Sequence, residues 1–332
     1  MALFLGVDGG GTKTLACVAD AQGEVLGVGR SSGSNFQVVG EDGAAHAVAL
    51  AIERALAVAG ARAADVVAAC YGLCGADRDK DFAVCRSWLA TVSPVPEFGL
   101  TNDTTIALRA GTSDGVGIGL VAGTGANQIG VNRAGVLHRV GGLARVLGDS
   151  GGALDIGEQA VAAAMRGHDG RGEATVLHDR IVAFLGLDAL EDLIEAYFVG
   201  AHRVFDPSLL APLVFEAAHD GDAVARRLVA AAGTEAACCA NVLLRRLFAP
   251  DERVPIVLGG SLWQRARNEA MFEALRAGLD PRYSNVEISR LDVEPVIGGV
   301  LYALDAHTRM LAPTAVRERL AATYRAPAAE DP

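Results

Sequence analysis

The first third of the chain alternates between strand-like and helix-like spacing of its apolar residues. A short apolar run from Phe4 that ends at Asp8, followed by strand-like runs at 14–20 and 24–30, predicts a three-stranded antiparallel start. The period then changes repeatedly, predicting a helix at 42–59, a strand at 66–73, a helix at 79–89 and a strand at 98–100. A further helix is expected to start at Thr104 or Thr105. The predicted order is therefore βββαβαβα.

A second meander follows and repeats this plan in kind, without repeating its letters. Strands are predicted from Val116 (VGIGLVA), at 128–132 and from Val136, each separated by a glycine turn. Helical spacing then dominates at 154–165, 175–185, 190–198, 207–219 and 223–248. The chain closes with a strand at 254–258, a helix at 264–277, a strand at 286–289, a helix at 297–311 and a tail, 326–332, expected to be disordered. At 332 residues, two domains are expected.

Composition narrows the class of protein. The net charge is −11 and the pI about 5.1, which argues against a nucleic-acid partner. No basic region precedes the short apolar run at the N-terminus, and the run from Val116 is broken by a Gly-Thr-Gly turn. We therefore expect no signal peptide, no membrane span and a cytoplasmic location. The six cysteines include no C-x-x-C pair, so zinc is not expected and reduced thiols are.

The stretch FLGVDGGGTKT, residues 4–14, carries the first candidate chemistry. A strand delivers Asp8 into three glycines that permit positive φ and close approach of a ligand, so their N–H groups can line an anion site. The alternative is a tight hairpin without a ligand. The stretch is not a Walker A motif, because Thr12 stands where Lys is needed, and the strand predicted at 14–20 excludes a dinucleotide fingerprint.

Four further motifs combine a strand end with glycine or an acid. Asp103, in LTNDTTIA, is either a helix cap or a general base, since carboxylates at strand ends often face a cleft. Gly123-Thr124-Gly125 is a second glycine turn that can offer N–H groups to a phosphate, or a plain hairpin. Asp149, in GDSGG, is an acid at a helix entry. Gly259-Gly260-Ser261 after the strand VPIVL is by itself weak support for a nucleotide site.

Taken together, the motifs are more specific than any one of them. In order along the chain they are DGGGT (8–12), NDTT (102–105), AGTGAN (122–127), VGG with GDSGG (140–152) and VLGGS (257–261). From residue 3 to about 304, the chain resembles the BadF/BadG/BcrA/BcrD-type ATPase family, most closely its N-acetylglucosamine kinase branch. The resemblance implies an α/β fold with two ribonuclease H-like (actin-like ATPase) domains around a nucleotide and sugar cleft. We expect domains at 1–112 and 113–305, the first completed by a C-terminal helix at about 306–325.

The resemblance also implies roles for individual residues. Asp103 would be the catalytic base and would contact the sugar, and Asp8 would hold Mg²⁺ through water. The ATP site would comprise Asp8, Gly10, Gly11, Thr12, Lys13, Gly123, Thr124, Gly125, Gly259, Gly260 and Ser261. The sugar site would comprise Asn35, Gln37, Asp103, Gly142, Leu143, Ala144 and Asp149. The implied cofactors are ATP and Mg²⁺, the partner is a small amino sugar, and the expected assembly is a homodimer.

Two departures bear on the substrate. Animal members of the kinase branch carry Trp two residues after the sugar-binding Asn and in the Gly-Gly-Trp-Gly stretch, whereas this chain has Gln37 and Leu143. The expected activity is therefore ATP-dependent phosphorylation, at the 6-hydroxyl, of N-acetylglucosamine or glucosamine.

Two other functions of related proteins are weighed against this kinase. A family ATPase that activates a 2-hydroxyacyl-CoA dehydratase or benzoyl-CoA reductase needs cysteines after the second phosphate loop, and none lies between Cys85 and Cys238. A sugar-responsive repressor would carry a DNA-binding domain before the fold and a Cys-rich zinc signature. Neither is apparent here.

Overall fold

The computed structural model describes residues 1–194, 206–265 and 269–327. The first sheet contains β1 to β5, in the order β3-β2-β1-β4-β5. Its strands are β1 (Leu3–Gly9), β2 (Lys13–Asp20), β3 (Val25–Ser32), β4 (Val66–Leu73) and β5 (Gly99–Thr101). β1, β2 and β3 pair antiparallel, whereas β4 is parallel to both β1 and β5. The apolar β1 therefore occupies the centre, where Leu5 and Val7 are fully buried.

The second sheet repeats this topology with β6 to β10, in the order β10-β9-β6-β7-β8. Its strands are β6 (Gly117–Ala122), β7 (Ala126–Val131), β8 (Leu137–Val140), β9 (Val254–Gly259) and β10 (Val286–Arg290). Again the first three strands form an antiparallel meander, and the last two add in parallel. The prediction of two ribonuclease H-like halves is confirmed by this duplicated α/β plan.

Helices cover both sheets. They are α1 (Phe36–Ala59), α2 (Asp79–Val92), α3 (Asp103–Gly111), α4 (Ala153–His168), α5 (Leu177–Leu185), α6 (Ala211–His219), α7 (Ala223–Leu247), α8 (Ser261–Arg265), α9 (Ala270–Gly278), α10 (Val296–Thr308) and α11 (Thr314–Thr323). One core lies between α1, α2 and the first sheet, and a larger one joins the second sheet to α4 through α9. The order βββαβαβα predicted for the first third is present.

Several predicted boundaries differ from the structure. Helix α1 begins six residues early, at Phe36, because Asn35 caps it, and it is interrupted at Gly40, where φ is 75°. Residues 207–210 form a 3₁₀ turn ahead of α6, and a turn of the same kind stands at Leu190–Asp192. Parts of three predictions lie outside the described residues. They are 195–198 of the helix predicted at 190–198, 266–268 of the helix predicted at 264–277, and 328–332 of the predicted tail.

The C-terminal helices pack with the first sheet. Helix α10 lies on β1 and β4, where Val296, Ile297, Val300 and Leu301 join a core with Phe4 and Cys17. Its glycines permit very close contact, since a Cβ on Gly298 would stand 1.9 Å from the carbonyl oxygen of Ile106 in α3. Helix α11 contacts the β2–β3 turn, where Val25 N donates to Thr323 Oγ1 over 3.0 Å. The boundary predicted at residue 305, between the second domain and the C-terminal helix, would divide α10. Because α10 packs on β1 and β4, we assign the whole helix to the half that contains the first sheet.

Helices α3 and α10 form the junction between the two halves. The outer face of α3 packs on the second sheet through Ala107, Leu108, Ile129 and Val257. A nearly fully buried ion pair fastens the two helices: Arg109 Nε and Nη2 donate to Asp305 over 2.9 and 3.2 Å. The two sheets are thus joined by a tightly packed pair of helices.

Candidate active site

The first glycine turn stands at the end of the central strand β1. Asp8 is paired with Leu15 of β2 and Gly72 of parallel β4, so its carboxylate lies at the carboxyl edge of the sheet. Gly10 N donates to Lys13 O over 2.9 Å and closes the turn. None of Gly9, Gly10 and Gly11 has a positive φ, so the expectation of left-handed backbone here is wrong.

These glycines serve by lacking side chains. A Cβ on Gly9 would lie 2.5 Å from both Leu73 Cδ2 and Ser34 Oγ, so this position must be bare for the turn to sit against its neighbours. By contrast, nothing lies within 4 Å of the corresponding point on Gly11, which is exposed. The outer part of the turn is therefore open to a ligand approaching its backbone.

Acidic groups converge at this end of the sheet. Burial raises the pKa of Asp8 to about 7, with a further contribution from the negative charge of Asp103, while Lys13 opposes the shift. Lys13 also pairs with Glu294, with 3.4 Å between Nζ and Oε2. The positive charge of Lys13 therefore acts on Asp8 against the negative charges of Asp103 and Glu294. Carboxylate oxygens in excess of positive charge are the ligands that a hard divalent cation prefers.

Asp103 is the first residue of α3. The N-cap is Asn102, whose Oδ1 accepts from Thr104 N over 2.9 Å, so the interpretation of Asp103 as the cap is wrong. Asp103 Oδ1 nevertheless also accepts from Thr104 N, over 2.9 Å. Burial raises the pKa of Asp103 to about 6, against the lowering effect of that N–H group, and Asp77 adds to the rise. The side chain is thus a carboxylate at neutral pH with an affinity for a proton above its usual range.

The second glycine turn is held from behind by helix α4. Ala153 N donates to Gly123 O over 2.8 Å and Leu154 N donates to Thr124 O over 3.0 Å. These bonds turn the carbonyl groups toward the helix, while Thr124 and Gly125 are exposed. A Cβ on Gly123 or Gly125 would meet nothing within 4 Å, so this loop is open in the same way as Gly11.

The third glycine motif lies against the second. Gly259 is the last residue of β9 and pairs with Val121 of β6. Gly260 has a φ of 90°, and a Cβ there would stand 2.3 Å from Ala122 O, next to the second turn. Ser261 then opens the short helix α8. Tertiary packing therefore brings together two motifs that are more than 130 residues apart in the chain.

Asp149 shapes the loop at Gly141–Ala144. Its carboxylate accepts from Gly142 N over 3.0 Å and from Leu143 N over 2.5 Å. Gly141 and Gly142 have φ of 64° and 70°, which other residues rarely adopt. Leu143 is half exposed and Ala144 is exposed. In this structure Asp149 therefore acts on the loop's amides, and its contact with a sugar stays a prediction.

Asn35 stands at the entrance to α1. Its Oδ1 accepts from Gln37 N over 3.0 Å, and a Cβ on Gly75 would lie 2.8 Å from the same oxygen. Asn35 is thus next to the turn that follows β4, on the side of the sheet that carries Asp8. Gln37 is exposed and has its side chain in no described hydrogen bond.

A closed ring of polar side chains, not anticipated from the sequence, joins the two halves of the molecule beside Asp103. It consists of Asp77 and Asn102 from the first half and Asn127 and Arg139 from the second. Asn102 Nδ2 donates to Asp77 over 3.0 Å, Asn127 Nδ2 to Asn102 Oδ1 over 2.9 Å, and Arg139 Nε to Asn127 Oδ1 over 3.1 Å, while Arg139 Nη1 stands 2.6 Å from Asp77 Oδ1. Two of these residues lie inside recognised motifs, but Asp77 and Arg139 do not, and no spacing along the chain links them.

Other possible metal ligands do not form a convincing site. His168, His178 and Glu191 offer ligand atoms within 4.8 Å of one another, away from the glycine loops. The two imidazoles, however, stack with 4.4 Å between centroids and 8° between planes, so one ion cannot lie in both ring planes. In the cleft, burial raises the pKa of the Cys74 thiol, aided by Asp103 and Asp8, which keeps it protonated and a poor ligand.

One described helix, α7, is long and apolar enough to span a membrane by length and composition alone. Half of that apolar window is buried in the protein, and side chains such as Val229, Leu243 and Leu244 lie in the core of the second half. This is the behaviour of a core helix.

Comparison with known proteins agrees with this arrangement. Residues 5–303 match the BadF/BadG/BcrA/BcrD ATPase family, and the chain belongs to that family. It is 30% identical over 316 residues to an N-acetyl-D-glucosamine kinase of Dictyostelium discoideum, covering 92% of this chain and 98% of the relative. It is 27% identical over 303 residues to an N-acetylmuramic acid/N-acetylglucosamine kinase of Clostridium acetobutylicum, covering 91% and 98%.

A solved structure supports the fold. A proposed N-acetylglucosamine kinase from Chromobacterium violaceum superposes with a TM-score of 0.70 at 24% identity, covering 90% of this chain and 98% of the other. Family, relatives and fold together define an ATP-dependent sugar kinase.

Proposed function

We propose that this protein transfers the γ-phosphoryl group of ATP to the 6-hydroxyl of an amino sugar, N-acetylglucosamine or glucosamine, with Asp103 as general base. The observation that carries the proposal is the Asp103 carboxylate. It lies at the start of α3, its pKa is raised to about 6, and it is close enough to Asp8 to perturb that residue's pKa. The names of the two curated relatives support the choice of acceptor.

In the proposed reaction, the oxygen of the sugar hydroxyl attacks the γ-phosphorus of ATP while Asp103 accepts the proton of that hydroxyl. The bond between the γ-phosphorus and the β–γ bridging oxygen breaks, which releases ADP. Asp103 suits this step because it is ionised at neutral pH yet basic enough to take a proton. Its bond from Thr104 N fixes the carboxylate at the start of α3. The carboxyl group then returns the proton to solvent after the products leave.

The proposed nucleotide site uses the three glycine motifs. The turns at 10–13 and 123–125 would donate backbone N–H groups to the phosphates, and Gly259, Gly260 and Ser261 would border the adenosine. Support comes from the open space at Gly11, Gly123 and Gly125, where a phosphate oxygen could approach without meeting a side chain.

Magnesium fits the acidic end of the first sheet. Asp8 would hold the ion through water, as the family resemblance implies. The negative charges of Asp103 and Glu294 act on its carboxylate, and Lys13 offsets them only in part. A bound Mg²⁺ would supply charge neutralisation for the β- and γ-phosphates.

The proposed acceptor site consists of Asn35, Gln37, Asp103 and Asp149 with the loop Gly142–Ala144. Positions 37 and 143 of this site are occupied by Gln37 and Leu143, neither of which is aromatic, and Leu143 is half exposed. An acetyl group would therefore find less apolar surface than a tryptophan gives, which is the reason for keeping free glucosamine among the substrates.

The activating-ATPase alternative has no cluster of cysteine ligands to support it among the described residues. Such a cluster needs cysteine thiolates, and Cys74, the cysteine near Asp8 and Asp103, has a raised pKa. Iron bound in stoichiometric amount to the purified protein would revive that alternative. A homodimeric assembly and a cytoplasmic location remain predictions.

The test is a coupled assay of ADP release with glucosamine, N-acetylglucosamine, N-acetylmannosamine, N-acetylmuramic acid and glucose, each with ATP and Mg²⁺. We expect sugar-dependent ADP release with glucosamine or N-acetylglucosamine and a product phosphorylated at the 6-position by NMR. Phosphorylation at another hydroxyl would correct the regiochemistry. ADP release that no sugar stimulates would contradict the proposed function.

A further inference from the structure

Arg139, on β8, is an unusual side chain because it joins three separate partners while only 14% exposed. Its Nε donates to Asn127 Oδ1 over 3.1 Å, its Nη1 stands 2.6 Å from Asp77 Oδ1, and its Nη2 donates to Gly142 O over 2.5 Å. A planar guanidinium fork can serve three acceptors in fixed directions, whereas the single ammonium group of lysine cannot.

The bond to Gly142 O bears directly on the loop proposed to line the acceptor. Asp149 holds this loop by its N–H groups, at Gly142 and Leu143, and Arg139 holds it by a carbonyl. The space is tight, since a Cβ on Gly142 would lie 2.5 Å from Asn127 Oδ1 and 2.9 Å from Arg139 Nη2. The left-handed conformation of Gly142 is therefore fixed from both sides.

The bond to Asp77 ties this loop to the other half of the molecule. Asp77 is 10% exposed, follows β4 and also accepts from Asn102, the N-cap residue directly before Asp103. Burial raises the pKa of Asp77, and its pairing with Arg139 opposes the rise. Removing only one partner of such a nearly buried ion pair is destabilising, because the other charge is left buried without compensation.

We propose that Arg139 is a positioning residue for the acceptor. It fixes the Gly141–Ala144 loop and joins this loop, through Asp77 and Asn102, to the half of the molecule that carries Asp103. This inference rests on the proposed function for its catalytic consequence. Because the ring Asp77–Arg139–Asn127–Asn102 takes two members from each half, it closes only when the halves stand as they do here. Acceptor binding and the packing of the two halves are then supported by the same contacts.

The first experiment separates acceptor binding from general damage. Arg139→Met keeps an apolar stem and removes the fork, and we expect the KM for the sugar to rise about 10- to 100-fold with a fall in kcat, while the KM for ATP changes less than about twofold. The matched control is Arg253→Met, which removes an exposed ion pair with Glu287 on the same half and should leave all three parameters unchanged. A sugar KM within about twofold of the wild type in Arg139→Met would overturn the proposal.

Two further variants test how Arg139 acts. Arg139→Lys keeps the charge but not the fork, so we expect it to recover only part of the sugar KM; full recovery would contradict positioning by the fork. If Arg139 works through Asp77, the double variant Arg139→Met/Asp77→Asn should be no worse than the more impaired single variant. Losses that simply multiply would show that the two side chains act independently and would count against the proposal.

A readout without catalysis keeps this inference distinct from the proposed function. Amide hydrogen exchange in the apo-protein should be faster for residues 140–149 in Arg139→Met than in the wild type or in Arg253→Met. If exchange is faster in Arg139→Met but the wild type phosphorylates no sugar, the proposed function is refuted and the positioning role stays in place. Unchanged exchange would overturn the positioning role even in an active kinase.

Discussion

Replacement of Asp103 by Asn is the sharpest test of the proposed reaction. Asn has nearly the same shape, and its Oδ1 can still accept from Thr104 N, so the start of α3 is preserved. It cannot accept the proton of the acceptor hydroxyl. General-base catalysis is worth about 10²- to 10⁴-fold, which corresponds to roughly 3 to 5 kcal/mol in the barrier. We therefore expect kcat to fall by at least about 100-fold, with the KM for ATP little changed.

The structure also predicts the effect of this variant on stability. Whereas activity should fall, the free energy of unfolding at pH 8 should rise. The pKa of Asp103 is raised from 3.8 to about 6 in the folded protein, so at pH 8 the ionised side chain destabilises the fold, on the order of 2 to 3 kcal/mol. The neutral amide of the Asp103→Asn variant would remove that cost. The apo-variant should therefore melt at a higher temperature than the wild type at pH 8. The difference should be mostly lost at pH 4, where Asp103 is protonated in the folded state and about half protonated in the unfolded state.

The assay combines steady-state kinetics of sugar-dependent ADP release with thermal unfolding at pH 8 and pH 4. The control is Thr101→Ser, at the last residue of β5, which should keep both activity and melting temperature. Turnover within about tenfold of the wild type in Asp103→Asn would refute the role of general base. Lost activity accompanied by a clear fall in melting temperature at pH 8 would refute the electrostatic reasoning.

Three other predictions follow from single features. Because the base must be unprotonated, kcat/KM should fall tenfold per pH unit below about pH 6 and be level above it; a flat profile from pH 5 to 7 would exclude a base with the pKa of Asp103. Asn35→Ser keeps a good helix cap but replaces the amide with a shorter hydroxyl, so the sugar KM should rise about tenfold with an unchanged ATP KM. An unaltered sugar KM would remove Asn35 from the acceptor site. Gly298→Ala should lower stability by about 1 to 3 kcal/mol or more in chemical unfolding, because its Cβ would meet the backbone of α3 at 1.9 Å. Gly43→Ala, another helical glycine whose Cβ would meet only the Val39 side chain, is its control, and equal stability of the two variants would contradict the packing argument.

Much of the fold was predictable because it depends on local patterns. The apolar runs of β1, β4, β6 and β9 and the helical spacing of α2, α4 and α7 are properties of short segments, and their order gave the duplicated plan. Boundaries failed where a single side chain decided them. Asn35 starts α1 and Asn102 starts α3, and an N-cap depends on local backbone conformation that periodicity does not report.

The sequence alone determined which residue types stand at each glycine turn and strand end, and therefore the class of chemistry. It could not determine that Asp8 and Asp103 share one acidic site, since they belong to different elements 95 positions apart. Nor could it join Asp77 to Arg139, because an ion pair between two halves depends on how they pack across α3 and α10. Long-range proximity is decided by burial and packing of whole elements, and only the tertiary structure contains that information.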